Sequence, residues 1–559
     1  MVTELRDRPI WVLIPFIFAL LPFEKAIREG ASAGAGADFV NTIWAMWWFQ
    51  QEWPFGAWGT TSTLFNFPFG GNGAIISPLN ALIWSVIDGV LGPNWASTLC
   101  SLVLLYSCMI LLVWILRFLR FSSLSIGGVL FAFLCQRYFI FTLAETGVVG
   151  VAIVPLLLTW LSSLKIRDGG GRWWFSLAVF GIAFQGLENP YLAPIPPLIA
   201  LMVLWGEWKK LVLLGGLSVV LLGFVGFVYH GASASEYQSL RPSYFVTVFG
   251  QYFPVVERDW ARISFSEIAY PQMVRWPIGG QDTIHQSGRG FLGYSVIVLG
   301  GMGLFWARRQ GILLLLLVLI GLLFSFGSDI GGVAAPFAWF NSLCAQLVRP
   351  LTQPTRYMIL VVLGFSILVG YSFRWFIGKN VYVGIFLWFL IGAEALTVGG
   401  LSLRLPATNI PTASCIQELS QEEGAVLIWP WDGIDDEDFD ATLHSRLFQM
   451  THERPAATIG TGSWPLVGQV FPGAVLRKLG WTASTETVGT LDLKTLSEWG
   501  YRFVIVDNRV SKTLVFQAKD SIFGSETLVS SCSDFDIYRL SGAKSSTKPV
   551  HPLMKIKKP

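Results

Sequence analysis

The chain has 559 residues, of which 53% are hydrophobic and only 13% charged. An ordinary soluble domain is about 25% charged, so this composition excludes a soluble globular enzyme, a disordered chain and a nucleic-acid binder of the basic-patch kind. The net charge of +3 is spread along the sequence and implies no polyanionic partner, which leaves a polytopic α-helical membrane protein.

Arg6 and Arg8 precede a first apolar run at 10–23. Glu24–Gly30 separates it from the small residues 31–37, so it reads as an uncleaved first span. Further runs able to cross fall at 95–116, 122–141, 147–164, 173–187, 190–206, 211–230, 291–307, 311–327, 357–376 and 380–401, giving an expected eleven spans. A helix needs about 20 residues to cross a ~30 Å core, so the shorter runs draw on their flanks. Ile75–Leu91 is different: its apolar residues recur every three or four positions, with Asn80, Ser85 and Asp88 elsewhere. That single stripe predicts a helix lying at the interface.

The basic loops support this choice. If Ile75–Leu91 does not cross, Arg6/Arg8, Arg117/Arg120, Lys165/Arg167/Arg172, Lys209/Lys210, Arg308/Arg309 and Arg374/Lys379 all fall on one side. The positive-inside rule makes that side, and the N-terminus, cytoplasmic. The outer side then gathers a first loop (24–94), a long loop (231–290), the segment 328–356 and everything after the last span. A protein that keeps its bulk outside is expected to work there.

Within the first loop, Phe39–Trp53 places Val40, Ile43, Trp44, Trp47 and Trp48 on one helical face, which predicts a Trp-rich interfacial helix. Asp38 stands just before it. It reads either as the N-cap or as a catalytic carboxylate held at the membrane surface, and the two roles are compatible. Asn66–Asn72, with Pro68 and Gly70–Gly71, is a turn-rich link to the second interfacial helix.

The short first span, the Asp before a Trp-rich amphipathic helix and the Pro68-Phe69-Gly70 turn together resemble the membrane glycosyltransferases of the GT-C fold, of the bacterial type that uses polyprenyl-phosphate sugars. Arg289-Gly-Phe-Leu-Gly-Tyr294 opening a late span and Arg349-Pro-Leu-Thr-Gln-Pro-Thr-Arg356 preceding another agree with it. The resemblance covers the whole architecture through short motifs. It implies transfer of a sugar from a polyprenyl-phosphate carrier to an acceptor on the outer side, in the cell envelope. It also implies that the first-loop acid, here Asp38, serves as base or, in some members, helps bind a divalent cation.

Other ionisable groups gather on the outer side of this topology. Arg137 and Glu145 flank the third span, Glu188 caps the fifth, Asp329 follows the ninth, and Glu394 lies near the end of the last. Charges at membrane depth are costly. Each has a bland account in snorkelling or ion pairing, but their shared side points to a common cavity. Pro190 and Asn189 suit a tight turn; Glu188 is not explained that way, and with Glu145 it is a candidate to orient the acceptor or assist a metal. Arg349 and Arg356 suit a lipid phosphate or diphosphate leaving group through their guanidinium forks, or equally headgroup anchoring. Arg356 is the stronger choice because it starts a span. The loop 231–290 carries charges among aromatics such as Tyr237, Trp260 and Trp276, suited to sugar or headgroup binding and to ordinary interfacial packing alike.

After residue 401 the character changes. Of 36 acids and 39 basic residues, 18 and 16 fall within 402–559. Ala425–Trp429 and Phe503–Asp507 read as buried strands, Leu491–Gly500 as a helix and Phe535–Leu540 as an edge strand, predicting a small α/β extracytoplasmic domain over 402–540. Residues 541–559 form a basic, Pro-containing tail expected to be disordered. Cys415 and Cys532 could pair if this domain faces an oxidising compartment, though sequence does not fix their distance. Trp429-Pro-Trp-Asp-Gly433 only superficially resembles an oligosaccharyltransferase motif, and Asp435–Asp440 lacks the spacing of a calcium loop. A transporter, flippase or envelope-glycan assembly subunit is the rival reading, although no internal repeat of the transporter kind is found.

Overall fold

The computed structural model describes residues 10–35, 37–52, 61–62, 71–72, 77–146, 153–237, 244–248, 251–255, 268, 290–330, 333–347, 354–398, 403–410, 414–429, 448–451, 453–454, 456, 493–498, 500–508, 523–532 and 535–541. Two compact units share the chain. Residues 1–39, 76–230 and 241–408 form the first; 40–75, 231–240 and 409–559 form the second.

The first unit is helical. Its elements are α1 (Ile10–Leu20), a 3-10 turn (Leu21–Phe23), α2 (Glu24–Glu29) and the start of α3 (Ala37–Glu52). Then come α4 (Pro78–Leu91), α5 (Pro93–Phe118), α6 (Ser123–Leu134), α7 (Arg137–Thr146), α8 (Val154–Arg167), α9 (Arg172–Glu188), α10 (Ile195–Val203) and α11 (Trp208–Tyr237). The series closes with α12 (Tyr294–Arg308), α13 (Gln310–Ser325), α14 (Pro336–Leu347), α15 (Met358–Lys379) and α16 (Val381–Thr397). Among the described residues, Pro93–Phe118 and Pro354–Lys379 are each long and apolar enough to cross a membrane, and the bent pair α6–α7 makes a third candidate.

α15 is the axis of this unit: Met358 through Leu363 are wholly buried. α12 runs alongside it in the same direction, with Gly300 against Phe365 and Gly303 against Leu368. At Arg308 the backbone turns through φ 48°. α13 then returns antiparallel, with Val318 against Gly364 and Gly321 against Val361. The approach is close enough that a Cβ on Gly303 would stand 1.8 Å from the Leu368 carbonyl, the small-residue packing that lets apolar helices associate without a hydrophobic drive.

The ends of the helices sort by charge. Arg374 donates to the Leu119 carbonyl at 3.4 Å. Lys165 lies over the rings of Phe118 and Trp174, and Lys210 donates to the Ile166 carbonyl at 3.2 Å. These contacts draw the ends of α5, α8 and α15 and the starts of α9 and α11 to one basic end, as the sequence grouping of the loops anticipates. Arg6 and Arg8 lie outside the described residues. At the opposite end Leu405 N–H donates to the Pro22 carbonyl at 2.9 Å, and β1 (Ser32–Ala33) pairs antiparallel with β2 (Ala407–Thr408).

Several elements differ from expectation. The run 122–141 is broken at Cys135–Gln136, where α6 and α7 bend by 57°. The run 190–206 holds only the nine-residue α10, about 14 Å at 1.5 Å per residue. Pro190, Pro194, Pro196 and Pro197 explain the shortening, since each removes a backbone donor. The chain still passes from the end holding Glu188 to the basic end. Finally, Trp44, Trp47 and Trp48 are at most 2% exposed, and the Trp44 indole donates to Gln449 Oε1 at 3.0 Å. The tryptophan face of α3 is packed in protein rather than laid on lipid. α4 does show an outward apolar stripe, Leu82, Val86 and Val90, as an interfacial helix requires.

The second unit centres on a four-stranded sheet of β3 (Ala425–Trp429), β4 (Tyr501–Asp507), β5 (Thr527–Cys532) and β6 (Phe535–Arg539), in the order β5-β6-β4-β3. β3 and β4 are parallel and the rest antiparallel. Leu427, Val504 and Val506 pack on one face with Leu496 of α18 (Leu493–Glu498). Val426, Ile428, Phe503 and Ile505 pack on the other with Ile416 of α17 (Ser414–Glu418). Both faces are covered, hence the unbroken apolar strands. Phe535–Arg539 is not the expected edge: β5, whose Thr527–Val529 side chains are exposed, pairs outside it. Cys415 and Cys532 form a disulfide with Cα atoms 6.2 Å apart.

Candidate functional site

The chain leading to Asp38 is held from three directions. Ala33 N–H donates to Thr98 Oγ1 at 2.9 Å, and that hydroxyl donates to the Ala31 carbonyl at 2.7 Å. Gly34 N–H donates to the Pro406 carbonyl at 2.8 Å, and Thr408 Oγ1 donates to the Gly34 carbonyl at 2.6 Å. Ala35 N–H donates to the Ala144 carbonyl at 2.9 Å. These pairings satisfy backbone groups in a buried segment, where an orphan would cost free energy. Gly34 has φ +149°, and a Cβ there would stand 2.3 Å from the Phe39 ring and 2.8 Å from the Ala144 carbonyl.

Two of the acids chosen from sequence therefore lie on adjoining strips of chain. Asp38 follows Ala35 by three residues, and Glu145 follows Ala144 by one. Asp38 lies within the first turn of α3, which begins at Ala37, rather than before it as an N-cap. A carboxylate in a first helical turn is still favoured by the exposed N–H groups and the macrodipole. The side chains of Asp38 and Glu145 lie outside the described residues.

Glu188 has a definite task. It is 3% exposed, and its Oε1 accepts the Leu79 N–H at 2.6 Å. The Ser77 hydroxyl donates to the Glu188 carbonyl at 3.0 Å. Ser77 precedes α4 in a left-handed conformation (φ 50°) and makes no side-chain cap of its own. Glu188 supplies the missing cap from another helix, satisfying an orphan donor and opposing the helix dipole. Glu394 does the same for α12: its carboxylate accepts the Tyr294 and Ser295 N–H groups and the Ser295 hydroxyl. Thus two acids that sequence assigned to a common cavity act as caps in trans. Arg137 and Glu394 do line one cleft with Gly293 and Ser295, but its void is only about 10 Å³, about one water.

Three residues beyond Glu188, the buried ring of Tyr191 carries the Arg356 guanidinium, 4.8 Å from its centroid. Arg356 sits in the 3-10 turn Pro354–Tyr357 that opens α15, as its place before a span suggests, and is half-buried. Tyr357 beside it is the hub of an aromatic cluster, with Phe324 at 4.9 Å, Phe337 at 5.9 Å and Tyr191 at 6.5 Å. Burial of that side by aromatics leaves the guanidinium's planar donors directed by stacking. The turn after α9 thus brings Glu188 and Arg356 into one neighbourhood. Tyr191 was not singled out in this role by sequence; the signal was an aromatic directly after the Asn189-Pro190 turn.

Arg349, the loop 231–290 apart from the end of α11 at 231–237, short strands and single residues, Trp429-Pro-Trp-Asp-Gly433 beyond Trp429, Asp435–Asp440 and the tail from 542 lie outside the described residues, as does the side chain of Asp329. Among the described residues no three His, Cys, Asp or Glu side chains come together to hold a metal.

No protein-family model matches this sequence, and no curated protein matches it. Solved structures do. Arabinofuranosyltransferase AftD from Mycobacteria matches with a TM-score of 0.54 at 13% identity, over 95% of this chain and 41% of that one. This chain has the GT-C fold. It is an integral membrane protein of that architecture, and it spans less than half the length of AftD. ArnT from Cupriavidus metallidurans matches at 0.49 and 11% identity in the apo state, over 95% of this chain and 96% of that chain. The same protein bound to undecaprenyl phosphate matches at 0.48 and 10% identity, over 96% and 97%. In this GT-C fold the clamp before Asp38 and the Arg356 turn both belong to the end opposite the basic loops.

Proposed function

We propose that this protein is a membrane glycosyltransferase that moves a sugar from a polyprenyl-phosphate carrier to an acceptor on the extracytoplasmic side. The observation that supports the reading is the clamp on residues 33–35, three residues before Asp38, where the Ala35 N–H bonds the carbonyl of Ala144, the neighbour of Glu145, within a GT-C fold shared with an arabinofuranosyltransferase. Asp38 removes the proton from the acceptor hydroxyl. The acceptor oxygen bonds to the anomeric carbon as the carbon–oxygen bond to the carrier phosphate breaks, and the electron pair leaves on that phosphate. Arg356, half-buried over Tyr191, neutralises the departing charge, with Arg349 as its partner. Glu145 orients the acceptor or a divalent cation. Glu188 contributes by holding the start of α4.

Orientation and boundaries belong to the same reading. The basic end faces the cytosol and sets a cytoplasmic N-terminus; the apolar runs supply eleven crossings, and the family resemblance a bacterial plasma membrane. Residues 1–401 form the membrane part, 402–540 an extracytoplasmic α/β domain and 541–559 a tail. The Cys415–Cys532 disulfide supports an oxidising compartment for that domain.

The test is to incubate the purified full chain with a radiolabelled polyprenyl-phosphate sugar and envelope extract as acceptor. Labelled product is expected from the wild type and none from Asp38→Asn at unchanged yield and melting temperature. Tracer that crosses a proteoliposome unchanged would instead identify a carrier, and an active Asp38→Asn removes that residue from the chemistry.

A further inference from the structure

At the basic end of the first unit, a cavity of about 670 Å³ is lined by Trp306, Arg308, Tyr371, Arg374, Trp375 and Lys379, with Ala307 and Gly378. It lies where the α12–α13 hairpin turns at Arg308 and where α15 ends. The Trp306 and Trp375 rings stack at 4.7 Å with an interplanar angle of 12°. Lys379 Nζ sits 4.2 Å from the Trp375 ring centroid, and Arg374 reaches the Leu119 carbonyl. No carboxylate lines the cavity, and among the described residues none pairs with Arg308, Arg374 or Lys379. Three cations therefore converge on one hollow without a counter-charge among the described residues. Arg308 stands at the turn of this hairpin with φ 48° and ψ −127°, a backbone that residues other than glycine rarely adopt.

We propose that this cavity binds the phosphodiester headgroup of an anionic phospholipid. The charge complement is that of a phosphate: two guanidinium forks and an ammonium. The source is a lipid rather than a free ion because apolar side chains beside the cavity face outward. Phe305 is 84% exposed, Ile312 61% and Tyr382 77%, a surface on which acyl chains lie while the headgroup enters. Tryptophans favour the membrane–water interface, where headgroups lie. This site is at the end opposite Asp38 and Arg356, so it is separate from the carrier phosphate and does not depend on the transfer reaction.

Native mass spectrometry of the detergent-purified full chain tests it, with phosphatidylglycerol, phosphatidylcholine of the same acyl chains, and inorganic phosphate as probes. Phosphatidylglycerol is expected to bind the wild type well below the concentration at which phosphatidylcholine does. Each lost cation should weaken it roughly fivefold, and R308Q/R374Q/K379Q together on the order of 100-fold. R308K/R374K/K379R should retain binding within a few fold, and R167Q/R172Q/K209Q, which removes three cations elsewhere at the same end, should retain it too. If the triple glutamine variant fails to fold, the exposed Arg308→Gln alone must still show the fivefold loss. Unchanged phosphatidylglycerol binding in a folded triple variant overturns the proposal, as does equal phosphatidylcholine binding or equal weakening in the control triple. Displacement by inorganic phosphate at matched concentration overturns the lipid and assigns a free anion.

Discussion

Glu188→Ala isolates what a buried carboxylate contributes when it caps a helix on a different segment. The wild-type contact is a 2.6 Å bond from the Leu79 N–H to a side chain 3% exposed. Bonds to charged groups contribute about 1.5–3 kcal/mol, and the orphaned donor left behind costs about 1–3. Loss of the charge near the N-terminus of α4 removes about 0.3–1 kcal/mol more. Relief of the buried carboxylate's desolvation offsets part of this, so a net loss of about 2–3 kcal/mol is expected. At roughly 2–4 °C per kcal/mol for large domains, the melting temperature of the full chain in detergent, followed by tryptophan fluorescence, should fall about 4–12 °C. Glu188→Gln keeps an oxygen for the Leu79 N–H in a bond about half as strong, so it should lose only about 1–2 kcal/mol and retain sugar transfer. A Glu188→Gln protein that melts like wild type but has no turnover would place the carboxylate in the chemistry. A Glu188→Ala protein that melts unchanged would remove the cap from the energetic account.

Gly34→Ala forces a side chain onto φ +149° against Phe39 and the Ala144 carbonyl. Displacement of Asp38 by about 1 Å should cut turnover about 100-fold, and kinetics equal to wild type would refute the clamp. Arg356→Ala should raise KM for the carrier about 10- to 150-fold, from the about 1.5–3 kcal/mol of a charged hydrogen bond. Lys at that position should recover only part, lacking the fork that stacks on Tyr191; an unchanged KM in the alanine variant refutes the assignment. Reduction, or Cys415→Ser with Cys532→Ser, opens a bond spanning 117 residues and should cost about 4–5 kcal/mol in the chain-entropy account. Intact mass after alkylation with and without reductant, beside the melting curve, reports both the bond and its weight.

The helical membrane character was legible because charge is sparse and the apolar runs are long, and the basic loops meet at one end because Arg374, Lys165 and Lys210 reach neighbouring helix ends. The break at Cys135–Gln136 was hard to read, since no proline or glycine marks it; the polar pair Gln136-Arg137 inside an apolar run was the signal. The shortness of α10 was legible: Pro194, Pro196 and Pro197 stand in the sequence, but hydropathy averages over them. The tryptophan face of α3 reads identically whether lipid or protein covers it, and only the Gln449 contact decides. Glu188 and Glu394 drew attention as costly charges near apolar runs. What sequence could not supply was the partner, because Leu79 is 109 residues away and Tyr294 is 100. Capping in trans leaves no local spacing to find.

The two-residue ladder of Ser32–Ala33 with Ala407–Thr408 has a consequence for biogenesis. Strand partners separated by some 375 positions cannot meet until nearly the whole bundle has been threaded into the bilayer. At about 5–20 residues per second, the ribosome needs on the order of 20–75 s between the two. During that interval the Gly34 N–H and carbonyl must find water or provisional partners. Asp38, the base of the proposed reaction, is therefore set in place last, and a nascent chain stalled before residue 406 would be inserted without the clamp that the proposed transfer requires.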